Sequence, residues 1–538
     1  DIDIPDIHKN FLKTIQTIKK NSHSVILGSV IINSLNGTWG KPDLLVKGYW
    51  LNKYISEKII GLIPNKWYII DIKSSTIQLI NGGEDISSSL LYSVYKSQVY
   101  VYTQALNQAL KENGIDNDVN VGFILGKKYK YVLNKNQIVK DSFDCVGVID
   151  FEKEKLKGIY WDEIIDSSVR WINDLRTNWE NFTLNPINKD ELYPNMKNTY
   201  NKNWLEIKKN IANVNKELSS LWYCGISNRE KAWKQGIKSY MDENLTPEIL
   251  GFNKSDSKYK ITSLMLKLLH DDKKNYIINK KNNHMNWQIK SEWEFFVDFE
   301  TYNYDDIYWD EANECNNIYK CNQKIYMCGI SWIDKKKNTF IHKSFIIKYQ
   351  QIDKLKKNFK KFGFSDDTDN VVNLVDYIVC IDEQDLLKKI FNFIMKFKPK
   401  NLSKENFFNK TRLIHWSGAE PILYKKKIIE YGFDINKYKL NWYDLLDVFK
   451  YPEYPIIIKE CFSFGLKAIV KKLNEFKEIN ISWPELDDGL LSSFIASDIY
   501  ENKDEIPNKQ MYDIIKYNWI DCKAMWVLIE WMRETIKK

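Results

Sequence analysis

Arginine is scarce in this sequence. Of 79 basic residues only Arg170, Arg176, Arg229, Arg412 and Arg533 are arginines. Lysine therefore carries the basic side, and together with abundant Asn and Ile it marks an AT-rich coding sequence rather than a chemistry. The charge excess is small as well, +8 over 538 residues, which permits a nucleic-acid partner without demanding one. No apolar run is long enough to span a bilayer, and no segment combines the basic, apolar and cleavage parts of a signal peptide. No membrane partner is expected, and an intracellular, soluble protein is. The eight cysteines form no C-x-x-C pair, which argues against a disulfide framework and for reduced thiols. Cys315, Cys321 and Cys328 sit fairly close together, but their spacings are not those of the usual zinc sites. Internal repeats are also lacking.

What is present is the composition of a folded protein: 44% hydrophobic, 14% aromatic and 28% charged, unlike a disordered chain. The length exceeds one core, so roughly two to four domains are expected. Three regions separate. Residues 1–185 mix strand-like segments at 24–33, 43–51, 67–74, 120–125 and 129–133 with helices near 88–113 and 161–182, an α/β pattern. Residues 186–290 are mostly helical, punctuated by Gly225 and Gly236. Residues 291–538 begin with the apolar strand WEFFVDFET and its hairpin partner KIYMCGISWID, and end in a long periodic helix. Between them, residues 354–370 look like an exposed insertion.

Within the first region, WYIIDIKSS (67–75) runs from apolar strand directly into an acid and a base. Alternation along a strand puts Asp71 and Lys73 on one face and turns Ile72 away. Alone, such a pair is commonly an edge ion pair of little worth. Upstream, GKPDLLVKG places Asp43 at the start of another apolar strand. Downstream, SQVYVYTQAL puts Gln98 and Tyr102 four apart, on one face of a helix.

These segments, GxxD, DxK and QxxxY in that order, resemble the PD-(D/E)XK nucleases of the RecB-like type, including the CRISPR-associated RecB-like exonucleases. The resemblance implies a divalent metal, Mg²⁺ or Mn²⁺, held by Asp43, Asp71 and the Ile72 carbonyl, since such hard cations take oxygen ligands and keep waters. It implies that Lys73 holds the attacking water or the oxyanion, and that Gln98 and Tyr102 orient Lys73 or contact the DNA backbone. The CRISPR-associated members usually carry four cysteines for an iron–sulfur cluster. Here only Cys145 and Cys224 are near, so no cluster is expected. His8 and His23 are candidates for an upstream ligand, but surface or core histidines explain them equally well.

A second set lies in the last region. VDFET places Asp298 and Glu300 on one strand face, where two like charges need a counter-ion if buried. YNWID puts Tyr517 and Asp521 one helical turn apart. These resemble the first and third motifs of the DEDD exonucleases of the Tyr subtype, which have an RNase H-like fold. In that family Tyr orients the attacking water and acids hold two metals. The second motif is normally an Asp opening a helix. Here LIHWSGAEPIL offers Glu420, a departure that leaves open a degenerate site, and Asp444 and Asp447 are alternates. ECFSFGLKAIVKKL also resembles a segment of those domains.

In the middle region GISNREKAWKQGIKSYMDENL resembles a helix-hairpin-helix element, which would contact phosphates through backbone N–H groups; a helical linker explains it as well. Taken whole, the resemblance implies a RecB-like PD-(D/E)XK restriction-endonuclease-like core, a helical middle and an RNase H-like DEDD-type domain. It implies a metal-dependent DNA nuclease, an exonuclease with endonuclease action left open, of DNA processing or defence against foreign DNA, with DNA or RNA as partner and a helicase beside it. The alternatives are a 3′-5′ exonuclease run by the C-terminal domain and a nucleic-acid-binding scaffold. A homo-oligomer stays open. The AT-rich imprint is similar to that of giant viruses, which would put the protein in viral or host cytoplasm.

Overall fold

A computed structural model describes residues 4–156, 158–198, 202–303, 323–334, 336, 339–350, 352, 353, 355, 372–483, 489–501 and 509–537. The insertion at 354–370 and two of the three neighbouring cysteines, Cys315 and Cys321, lie outside the described residues apart from Leu355. The chain is a mixed α/β protein with two compact units, residues 1–182 and 183–538. No helix among the described residues is long and apolar enough to cross a membrane.

The first unit is built on the strand Trp67–Ile80, the longest in its sheet. Its first five residues are all buried, as a central strand requires; beyond Asp71 burial alternates. Asn117 fixes where the strand starts: its side-chain amide accepts from Trp67 N (2.6 Å) and donates to Trp67 O (3.1 Å). Leu44–Lys47 pairs antiparallel on one side and Val121–Leu133 parallel on the other. A parallel neighbour needs a crossover, and the helix Leu90–Glu112 lies between the two in sequence. Its residues Val99, Leu106 and Leu110 pack with Ile69, Ile77 and Ile124. The opposite set, Tyr68, Ile70, Phe123 and Leu125, packs with Leu51 and Ile55; those two belong to a short helix and its end, where strand was expected through residue 51. The two strands expected at 120–125 and 129–133 are one continuous strand. The parallel register slips between Lys73 and Thr76, a bulge immediately after the D-x-K segment.

The second unit contains a six-stranded sheet. Trp293–Asn303, Gln323–Asp334 and Thr339–Ile347 run antiparallel to one another in sequence. Thr411–His415 and Trp442–Asp444 add parallel on the Trp293 side, and Val372–Cys380 adds parallel on the far edge. One core joins Phe296 and Phe340 to Trp519, Met525 and Leu528 of the helix Lys509–Thr535. Another joins Phe295, Val297 and Phe345 to Leu386, Leu387 and Ile390 of the helix Glu383–Met395. Residues 186–290 are not a separate body. Ile261, Met265, Leu268 and Trp287 belong to the same core as the long C-terminal helix. Within this stretch the expected helix-hairpin-helix supplies the helix Ile226–Trp233 and then turns through residue 256 in place of a second helix. Three of the rare arginines act structurally here. Arg229 is paired with the buried Glu217, and Arg533 and Arg412 both engage Glu294, Arg533 through two bonds of 2.7 and 2.9 Å.

Candidate active site

In the first unit the five expected residues come together where the central strand leaves its fully buried stretch. Asp43 precedes Leu44–Lys47, and its Oδ2 accepts from Ile72 N at 2.6 Å. Ile72 itself points out and is half-exposed. Asp71 is buried, and its Oδ2 lies 2.5 Å from Lys73 Nζ as an ion pair without an aligned hydrogen bond. Lys73 Nζ donates to Gln98 Oε1 (3.1 Å), and Gln98 Nε2 donates to Tyr102 OH (3.0 Å). This chain fixes which end of the Gln98 amide faces the lysine. Burial pushes the Asp71 pKa up, Lys73 pulls it down, and the nearby Asp43 carboxylate pushes it up again.

Gly40 of the GKPD segment has a steric role. A Cβ there would stand 2.1 Å from Tyr102 Cε1, so the tyrosine ring lies directly on the glycine. Two participants were not singled out in the sequence. Tyr95, one turn before Gln98, puts its ring centroid 4.5 Å from Lys73 Nζ. Tyr92 accepts from Gln78 N (2.8 Å) and donates to Thr76 O (3.3 Å), bracing the strand beyond the bulge. The signal was there in the three- and four-residue spacing 92, 95, 98, 102 along one helix face. His8 is exposed against Phe11, and His23 is exposed and bonded to Ser22.

In the second unit Asp298 and Glu300 stand on the strand Trp293–Asn303, whose register shifts immediately after Glu300. Asn518 Nδ2 donates to Asp298 Oδ2 (2.7 Å) and reaches Glu300 Oε1 at 3.3 Å; Ser492 Oγ donates to Glu300 Oε2 (2.7 Å). Gly329 makes the Asn518 approach feasible, since a Cβ there would meet Asn518 Oδ1 at 1.7 Å. Trp483 Nε1 donates to Asp521 Oδ1 at 2.6 Å. Glu420 opens the helix Ala419–Glu430 and is buried, its Oε2 without a hydrogen-bond partner. Burial first, and then Asp521, Glu300 and Glu420, raise the Asp298 pKa well above the usual range. Burial likewise pushes Glu300 up to about 7 and Asp521 up to about 6. Tyr517 is raised by burial and by Asp521. Asp444 is a helix cap: its Oδ1 accepts from Leu446 N and Ser417 N, both at 2.9 Å. Asp447 is exposed.

No family model matches the chain, and no curated protein matches it. The functional reading therefore rests on this chain's own residues. Among the described residues no three His, Cys, Asp or Glu side chains close into a ready cation cage. The first site offers two carboxylates, which is what Mg²⁺ commonly takes while keeping its waters. The second offers four acids within one another's electrostatic influence. In the second site the buried Glu420 Oε2 has no hydrogen-bond donor, an arrangement that a cation would satisfy; in the first, Asp71 Oδ2 faces the Lys73 ammonium. Cys145 and Cys224 are buried thiols, pushed by burial up to about 11 and about 12.

Proposed function

We propose that the protein is a Mg²⁺- or Mn²⁺-dependent nuclease that hydrolyses phosphodiester bonds of DNA at the Asp43–Asp71–Lys73 site. The observation that carries this reading is the unbroken set of contacts from Asp43 through Ile72 to Lys73, Gln98 and Tyr102. The antiparallel strands Val25–Leu27, Leu44–Lys47 and Trp67–Ile80 follow a first helix, with a short helix before the third, and the helix Leu90–Glu112 then leads to the parallel strand Val121–Leu133; this sheet supports a PD-(D/E)XK core. Asp43, Asp71 and the Ile72 carbonyl would hold the cation. When bound, it would acidify a water and neutralise phosphate charge.

The protein's own groups do the rest. Lys73 presents an ammonium to the charge that builds on the phosphate oxygens, in a partly desolvated position where such a contact is strong. Gln98 keeps that ammonium facing Asp71, and Tyr102 keeps Gln98 from flipping. In the overall reaction a water oxygen bonds to phosphorus, the bridging P–O bond breaks, and the departing oxygen takes a proton. The test is cleavage of end-labelled single- and double-stranded DNA with and without metal. Lys73→Ala and Asp71→Ala should each abolish it. Undiminished cleavage by Lys73→Ala would remove this site from the mechanism.

A second reading, a 3′-5′ exonuclease on DNA or RNA in residues 291–538, is favoured by the acid set Asp298, Glu300, Glu420 and Asp521 beside Tyr517. The strand order, three antiparallel strands with two parallel strands added on one side and one on the other, supports an RNase H-like domain. Under this reading Asp298→Ala abolishes trimming while Lys73→Ala does not. A helicase partner and a self-assembled oligomer are consistent with either.

A further inference from the structure

We infer that Tyr95 is a positioning residue of the nuclease site: its ring face is the wall that holds the Lys73 ammonium against Asp71 and Gln98. This inference rests on the nuclease reading for its catalytic consequence but not for its geometry.

Lys73 Nζ has three neighbours set around it. Asp71 Oδ2 is at 2.5 Å, Gln98 Oε1 at 3.1 Å and the Tyr95 ring centroid at 4.5 Å. The first two are polar and each engages the ammonium through a single oxygen atom. The ring is different. Tyr95 is half-buried and packs with the unit's core, with its edge against Tyr92 at 6.1 Å between centroids. Tyr92 is in turn buried and bonded to the strand at Thr76 and Gln78. The ring is therefore anchored to the strand that carries Lys73, on the far side of the bulge. An aromatic face attracts an ammonium through its quadrupole, and more so where water is scarce. It also occupies space that the four-carbon lysine stem would otherwise sample. What the interaction needs is the ring, not the hydroxyl, so Tyr95→Phe and Tyr95→Leu separate positioning from mere filling of volume.

The experiment uses the full chain. Lysines are ¹³C-methylated reductively, and the Lys73 resonance is identified by its absence in Lys73→Gln. In the wild type it should lie upfield of the exposed lysines, shifted by the ring. Tyr95→Phe should keep it there, and Tyr95→Leu should return it to the exposed set while the other resonances and the melting curve stay in place. A wild-type Lys73 signal among the exposed lysines, or one that Tyr95→Leu leaves unmoved, overturns the inference. On DNA, Tyr95→Leu should lower kcat by about three- to thirtyfold at nearly unchanged KM, the range of a cation–π contact, and Tyr95→Phe should restore it. A normal kcat in Tyr95→Leu overturns the catalytic consequence while leaving the nuclease reading intact. Failure of every variant and the wild type to cut DNA overturns that reading, with the resonance shift still deciding where Tyr95 holds the ammonium.

Discussion

Lys73 Nζ sits 2.5 Å from Asp71 Oδ2, and the lysine is one of the forces that keep that buried acid ionised. Removing the ammonium leaves burial and Asp43 to act alone, so the Asp71 pKa should rise further. In Lys73→Met, Mn²⁺ binding to the first site should therefore need a higher pH than in the wild type. Well above that pH it should be tighter, because a repelling charge has gone. Calorimetric Mn²⁺ titrations across pH, with Asp71→Asn as the blank, check both signs. A binding curve with an unmoved pH midpoint would mean that the pair is not coupled.

The Gly40 and Tyr102 contact makes a steric prediction. Gly40→Ala puts a methyl group where the Tyr102 ring already stands. Overpacking of this kind costs about 1–3 kcal/mol, and the ring's displacement should break the Tyr102–Gln98 bond. The thermal midpoint of the first unit and the cleavage rate should fall together. In a Tyr102→Ala background the stability cost of Gly40→Ala should largely vanish, which a double-mutant cycle of melting curves reads directly.

Gln98 offers a cleaner test of orientation. Its Oε1 accepts a hydrogen bond from Lys73 Nζ and its Nε2 donates to Tyr102 OH. A hydrogen bond to a charged group contributes about 1.5–3 kcal/mol. Gln98→Ala should thus slow cleavage by about one to two orders of magnitude. Gln98→Glu should keep an acceptor for Lys73, lose the donor to Tyr102, and fall between. Equal rates for all three proteins would show that the amide takes no part.

Much of this site was legible in the sequence because strand alternation and helical spacing are local rules. Asp71 and Lys73 two apart, and Gln98 and Tyr102 four apart, could be assigned faces without any tertiary knowledge. The order Asp43, then Asp71, then Gln98 followed from a resemblance and not from such rules. What local rules do not carry is contact across elements. Tyr95 was passed over because an aromatic on a helix face is ordinarily core, and only the fold brings it over Lys73. The same holds for Asn518, Ser492 and Trp483 around the second set of acids: nothing in their own neighbourhoods announces that they donate to Asp298, Glu300 and Asp521. What the helices of the middle region pack against was not legible, since helical periodicity reports a buried face but not its partner, which for Ile261 and Met265 is the core of the long C-terminal helix.

The second site should make the metal-free protein sensitive to pH. Glu300 is pushed up to about 7 and Asp521 to about 6 in the folded chain, whereas unfolded they titrate near the ordinary carboxylate value of about 4. Between those values the folded state holds protons that the unfolded state has lost. Stability must then fall as pH rises from about 4 to about 7 and level off above. In EDTA the melting temperature of residues 183–538 within the full chain should follow that curve, and Glu300→Gln should flatten it. Saturating Mn²⁺ should offset the loss at the high-pH end, because a cation favours the ionised acids. A melting temperature independent of pH in EDTA would be incompatible with the buried acids as placed.

Under the second reading, Glu420 would bring stability and function into opposition at one position. His415 Nδ1 bonds to Ser417 O at 2.5 Å and stands 3.5 Å from Glu420 Oε2, so this carboxylate oxygen is buried without a hydrogen-bond donor. An unsatisfied buried polar group costs about 1–3 kcal/mol, more when charged. Glu420→Gln removes the charge at almost the same volume. In EDTA it should raise the melting temperature, since the uncompensated carboxylate is gone. In saturating Mn²⁺ the ranking should reverse, because the wild type gains a ligand contact that the amide supplies poorly. Differential scanning calorimetry in the two buffers gives four numbers, and the crossing of the two lines is the prediction. If Glu420→Gln is less stable in EDTA as well, the carboxylate has a protein partner and is not waiting for a cation.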